Sequence, residues 1–156
     1  MAARRHNFAR AFSLIELVFV ILLIAIACAI VLPHWSNSAQ NYQLSLAARR
    51  IASDLAWAQS CANSSSSSVT VSFGVDVGKY QLVGVPDPDQ ADRAYTVDLA
   101  ADPYHVRLAS AVFGNSSTLT FNGFGLPNQG GSVIVAAGGG QRTVTVDSAT
   151  GQITIQ

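Results

Sequence analysis

The hydrophobic and polar positions of the chain fall into three successive regimes. From Phe12 to Leu32 the residues are apolar except for Ser13, Glu16 and the thiol of Cys28, and after Glu16 no Asp, Glu, Lys or Arg occurs before Arg49. As a helix this run rises about 31 Å, roughly the hydrocarbon thickness of a bilayer, so the pattern predicts a membrane-spanning helix over 12–33. Pro33 follows and has no N–H to donate, which predicts a kink or a loosened turn there. Ser36, Asn37 and Ser38 are placed to cap a restarted helix. From Leu44 the apolar residues Leu44, Ala48, Ile51, Leu55, Ala58 and Ala62 then recur at steps of three and four. That spacing predicts an amphipathic helical continuation over 34–62, with Arg49, Arg50, Ser53, Asp54, Gln59 and Ser60 on its other faces and Trp57 at the rim of the apolar stripe.

The third regime is of period two. Asn63 to Ser68, with five consecutive serines, reads as a connector, and strands are expected at 69–73, 79–83, 94–99, 105–108, 118–121, 132–136, 142–146 and 152–155. A glycine-flanked turn joins the first two, and Asp147 to Gly151 has the length of a hairpin loop between the last two. The fold class is therefore α+β: a long N-terminal helix packed on an antiparallel β-sheet domain that occupies 63–156.

Charge sharpens the picture at the N-terminus. The formal net charge is zero, but Arg4, Arg5 and Arg10 all precede the apolar run, as a cytoplasmic flank would. Beyond Pro33 six basic residues face eight aspartates, a formal −2 that argues against a general nucleic-acid surface. Cys28 and Cys61 are the two cysteines, too few for a disulfide framework and, on one helix, roughly 50 Å apart. Cys28 reads as a small apolar residue; Cys61 is either a buried thiol at a helix end or a free thiol open to intermolecular chemistry.

Three readings of the N-terminal segment compete. A secretory signal has small residues available at Ala27-Cys28-Ala29, and Ala25-Ile26-Ala27-Cys28 loosely fits a lipoprotein processing box, which would make the chain a lipid-anchored or secreted β-domain binding module. Neither gives Glu16 a purpose, although a carboxylate within lipid costs free energy. Cutting between Ala11 and Phe12 does: it creates an α-ammonium on Phe12, one helical turn before Glu16, where the helix N-terminus also favours a negative charge. The same pairing made between chains would reward one axial stagger in an assembly.

These residues carry a resemblance. Ala11-Phe12-Ser13-Leu14-Ile15-Glu16 behind a basic leader, followed by the apolar run and Pro33, resembles the processing and assembly segment of type IV pilins and type II secretion pseudopilins. The resemblance implies that prepilin peptidase removes the leader, residues 1–11, and methylates Phe12. It also implies a single-pass inner-membrane protein, N-terminus cytoplasmic and C-terminal domain periplasmic, that later enters a periplasmic or extracellular filament. Other pilins or pseudopilins, the peptidase and an inner-membrane assembly platform are the implied partners. The family usually has Gly before the cut, where this chain has Ala11, and that bears on how efficiently it is processed. A looser resemblance covers the rest. The helix end 50–59, the turn motif Phe121-Asn122-Gly123-Phe124-Gly125-Leu126-Pro127 and the closing hairpin are similar to minor pseudopilins of the GspH and FimT type, which implies a structural subunit near a filament tip, or a FimT-like DNA-binding subunit for DNA uptake. A single basic residue after Arg107, Arg142, is poor provision for phosphate contacts, so nucleic acid is not the expected partner.

Other chemistry is thinly supported. His105 has no Ser or Cys tied to it and is expected in a strand, Gly138-Gly139-Gly140 precedes a strand rather than the helix of a phosphate loop, and both read as structural. Asp87, Asp89 and Asp92 lie within six residues and offer oxygen donors suited to calcium, but the glycine and terminal glutamate of a known loop are missing. No enzyme activity, cofactor or small-molecule substrate is expected.

Overall fold

The computed structural model describes residues 13–88 and 93–156, with the backbone alone over 29–37. Among the described residues one helix, α1 (Leu14–Ser65), precedes eight strands: β1 (Val69–Gly74), β2 (Lys79–Pro86), β3 (Ala94–Asp98), β4 (Arg107–Phe113), β5 (Thr118–Phe121), β6 (Gly131–Ala137), β7 (Gly140–Val146) and β8 (Ile153–Ile155). The chain divides into two compact units, Met1–Asn37 and Ser38–Gln156.

In the first unit α1 begins where the Ser13 carbonyl accepts the Leu17 N–H at 3.2 Å. This makes Ser13 the N-cap and puts Glu16 at the third helical position, the Ser-x-x-Glu spacing of a capping box. Phe12 and the leader lie outside the described residues. Among the described residues no helix is long and apolar enough to cross a membrane; the apolar run reaches beyond them at Phe12 and beyond the described side chains at 29–32. The backbone is helical through Pro33 and through 36–38, so the expected capped restart is absent.

In the second unit the apolar stripe of α1 behaves as its spacing predicts. Leu44, Ala48, Ile51, Leu55, Ala58 and Ala62 are all buried, joined by Ala47, and they share one core with the inward side chains of the strands. The antiparallel β domain is built as two four-stranded sheets, in the orders β3-β2-β1-β5 and β4-β6-β7-β8. Phe73 of β1 bridges them, its ring 5.7 Å from Phe113 of β4 and 5.6 Å from Tyr80 of β2. Period-two alternation is clean in β1 and β5. It fails in β4, where a register shift between Leu108 and Ser110 leaves Leu108, Ala111 and Phe113 facing inward. A strand with unequal inward spacing hides from a period-two reading, so the expected 105–108 strand is in fact Arg107–Phe113. His105 lies before it with φ of 50°, in a turn and not in a strand. The connector is shorter than expected too, because α1 persists to Ser65 with the Ser65 hydroxyl bonded to the Cys61 carbonyl at 2.6 Å.

The largest departure concerns Asp54. It was expected on a polar face, yet it is the buried charged residue of the described chain, 6 % exposed. Its Oδ2 accepts three bonds: from Tyr80 Oη of β2 at 2.5 Å, from Tyr95 Oη of β3 at 3.1 Å and from Arg50 Nε one turn earlier at 3.1 Å. Arg50 also bonds the Tyr95 hydroxyl and lies over its ring, and Trp57 meets that ring edge-on at 5.1 Å. Burial, and then the Asp54 charge, push both phenols above their ordinary pKa; burial lowers Arg50, but Asp54 and Tyr95 outweigh it and raise the guanidinium.

Replacing Asp54 with Ala leaves a cation and two buried hydroxyls without their acceptor and should cost about 3–5 kcal/mol, whereas Tyr80→Phe removes one bond and should cost about 1–2 kcal/mol, both read by urea unfolding of the detergent-solubilised chain. Because the folded phenols titrate above the unfolded value of about 10, their contribution is complete below that pH and declines as pH rises past it. Stability should therefore hold up to about pH 10 and fall as the pH is raised beyond it, and fall less in the Tyr80→Phe variant.

Candidate functional site

Two regions of the molecule are organised in ways that internal packing does not explain. The first is the N-terminal part of α1. Every described side chain from Ser13 to Cys28 is exposed, including Leu14, Ile15, Leu17, Val18, Phe19 and the aliphatic residues through Ile26, and Glu16 is the only ionisable carboxylate among them. A helix apolar on all faces belongs in a membrane or among other helices. Its low periodicity follows from the sequence, since Leu, Ile, Val and Ala fill consecutive positions and leave no polar stripe.

The second region is where α1 ends. The motif Phe121 to Pro127 forms a tight loop after β5: Asn122 Oδ1 accepts the N–H of Phe124 and of Leu126, each at 3.0 Å, while the Asn122 N–H bonds the Leu126 carbonyl at 2.9 Å and the Gly125 N–H bonds the Asn122 carbonyl at 2.8 Å. The loop is fastened to α1 by Gln59, whose Nε2 donates to the Gly125 carbonyl at 2.8 Å. Two glycines permit this. Gly125 has φ of 74°, and at Gly123 a Cβ would fall 2.7 Å from the Ser66 backbone, which leaves no room for a side chain. The β7–β8 turn packs alongside, with Gly151 against Gln59 and Pro127. Asp147 closes that turn, its Oδ1 accepting from the Ala149 and Thr150 N–H groups at 3.0 and 2.8 Å; these bonds, chiefly that from Thr150, hold its carboxyl below the usual range. From this frame Phe124 projects 84 % exposed, with Leu126 at 43 % beside it.

The other sequence candidates are dispersed. Ala11 and Phe12 lie outside the described residues, as do Asp89 and Asp92; the Asp87 N–H bonds the Arg93 carbonyl at 2.9 Å. Among the described residues no three His, Cys, Asp or Glu side chains gather as a metal site. His105 Nε2 lies 3.4 Å from Asp102 Oδ1 and lines a cleft with Arg107, Asp76 and Val77, in which no Ser, Thr or Cys takes part. Gly138 and Gly139 make the β6–β7 turn, which rests on Gln40. Cys28 and Cys61 are both free; Cys61 is half-buried against the core and Cys28 is exposed.

Sequence reasoning missed the Asp54 cluster and the seat of the Phe121–Pro127 loop on the helix. For Asp54 a signal existed: it stands three residues after Ile51 and four before Ala58, on the stripe itself.

An apolar helix continuing into a unit where it docks on two antiparallel sheets defines the pilin class of fold. The family described as Type II transport protein GspH matches residues 47–150, and the chain belongs to that family, one of structural pilins and pseudopilins. Two crystal forms of the type IV minor pilin FimU of Pseudomonas aeruginosa are similar in structure. One has a TM-score of 0.52 at 17% identity, covering 74% of this chain and 90% of that one; the other has a TM-score of 0.51 at 19% identity, covering 72% and 92%. At such identities the likeness establishes the fold. No curated protein sequence matches the chain.

The fit at Gly123 makes a direct prediction. Gly123→Ala should destabilise the chain by about 1–3 kcal/mol, since neither the loop nor the Ser66 backbone has a flexible end to yield, while Phe124→Ala should shift the thermal midpoint by little.

Proposed function

We propose that the chain is a non-enzymatic minor subunit of a type II secretion pseudopilus or type IV pilus, placed at or near the filament tip. Residues 1–11 are the leader. Prepilin peptidase cuts between Ala11 and Phe12 and methylates the new amine, and residues 12–33 anchor the protein in the inner membrane with the β-rich unit in the periplasm. The helical continuation over 34–62 carries that unit, and Pro33 supplies a kink between the two stretches. An assembly platform in the inner membrane then moves the subunit into a filament of other pilins.

The observation that carries this reading is the exposed apolar surface of α1 from Leu14 to Ile26 with Glu16 at its start. Lipid covers such a helix before assembly, and the helices of neighbouring subunits cover it afterwards. Glu16 then has two partners of unequal consequence. Its spacing from Ser13 suits a capping box at the N-terminus of its own helix, a role Gln would fill as well. Its charge answers the Phe12 ammonium, its own or a neighbour's, and Gln cannot do that. Family membership and the pilin fold support the same reading. Nucleic acid is a poor partner, because no charged residue at all occurs from Leu108 to Gln141.

Produced with prepilin peptidase, the protein should begin at a methylated Phe12 by intact and peptide mass spectrometry; an intact Met1, or a lipid-bearing start at Cys28, would overturn the proposal. Glu16→Gln should insert into membranes normally, keep its helix and fail to enter filaments. Equal recovery of this variant in sheared filaments would show that the charge has no part in assembly.

A further inference from the structure

We infer that the end of the 38–156 unit at which α1 terminates is a docking surface for another pilin-class subunit, with Phe124 as its anchor, and that the occupant presents an apolar pocket free of formal charge. The inference rests on the filament reading above.

Three observations converge on it. Phe124 is the most exposed large hydrophobic side chain of the unit, and Leu126 stands next to it. Single exposed apolar residues are common on protein surfaces and carry no meaning by themselves. Here, however, the backbone beneath the residue is fixed on several sides, by Asn122 within the loop, by Gln59 from the helix, and by the absence of space at Gly123. A rigid aromatic held clear of the surface loses little conformational freedom when a partner closes over it, the property that distinguishes interface anchors.

Charge identifies the partner. The segments that meet around the Phe121–Pro127 loop come from stretches with no Asp, Glu, Lys, Arg or His: 55–75 from the helix end, 108–141 from the loop and its flanking strands, and 148–156 from the last hairpin. Asp147 flanks the last of these stretches, and its carboxylate is turned into its own turn. Nucleic acid and anionic lipid headgroups bind through cations, which these stretches lack. An ionic protein surface would bury its charges here unpaired, at a cost. What remains is a neutral, partly apolar protein surface, the composition of the centre of a protein interface. In a filament whose helices are already engaged through the first unit, the neighbouring subunit is the protein available to provide it.

The test uses the full chain in cells that carry its own filament machine. With p-benzoylphenylalanine in place of Phe124, irradiation of filaments should give one covalent adduct whose partner peptide, identified by mass spectrometry, belongs to a different pilin-class subunit and comes from a segment without charged residues. Phe124→Glu should lower incorporation about tenfold or more with an unchanged thermal midpoint, and Phe124→Leu should retain most of it. The inference is overturned by adducts confined to lipid, nucleic acid or a non-pilin protein, by the absence of any adduct from chains recovered in filaments, or by Phe124→Glu incorporating like the parent. If the parent starts at Phe12 and enters filaments while these results fail, only the docking surface is lost. If the parent never enters filaments, the filament reading falls with it.

Discussion

A single carboxylate oxygen joins the helix to the first sheet. Asp54 Oδ2 receives hydroxyls from two neighbouring strands and a guanidinium from its own helix, and all three donors are themselves held by rings or by each other. Apolar packing alone is non-directional, and a stripe made largely of alanine has few protrusions with which to choose one rotation of the helix over another. The Asp54 cluster supplies that choice, because a helix turned or slid by one residue would bury the carboxylate without its donors. The positions of the Gly138 turn on Gln40 and of the Phe121–Pro127 loop on Gln59 both follow from that fixed rotation.

The two units of the chain treat their surfaces in opposite ways. In the second unit apolar side chains are buried in one cluster, and among the described residues no buried side-chain nitrogen or oxygen lacks a partner. Apart from Phe124 and Leu126, its exposed hydrophobic residues are scattered ones such as Val77, Val83, Val112 and Ile155. Among the described side chains of the first unit, the apolar ones from Leu14 to Ile26 are exposed. A helix apolar on all faces is what lipid or neighbouring helices cover, in keeping with membership of a family of structural pilins and pseudopilins.

Much of this was readable from residues. The helical stripe from Leu44 to Ala62 and the existence of eight strands followed from periodicity, which depends on local sequence and survives into the fold. The division of those strands into two sheets did not, because β1 pairs with β5 across three intervening strands and no local pattern encodes a partner so distant. β4 was cut short by a bulge that breaks alternation. Asp54 was misplaced because a charge on an apolar stripe looks like a boundary of that stripe until its donors, 26 and 41 residues away in sequence, are seen beside it. At the candidate sites the reverse held. Glu16 stands out in sequence by contrast with its surroundings, while Phe124 is one of seven phenylalanines and is set apart only by its exposure.

The loop around Asn122 separates two jobs that usually share residues. Its shape is dictated from positions 122, 123 and 125 and from Gln59 on the helix, none of which is the protruding side chain. Position 124 can thus change identity without disturbing the scaffold that displays it. During divergence of such subunits, recognition is free to drift one residue at a time on an unaltered chassis, so that paralogues built on the same frame can come to select different neighbours.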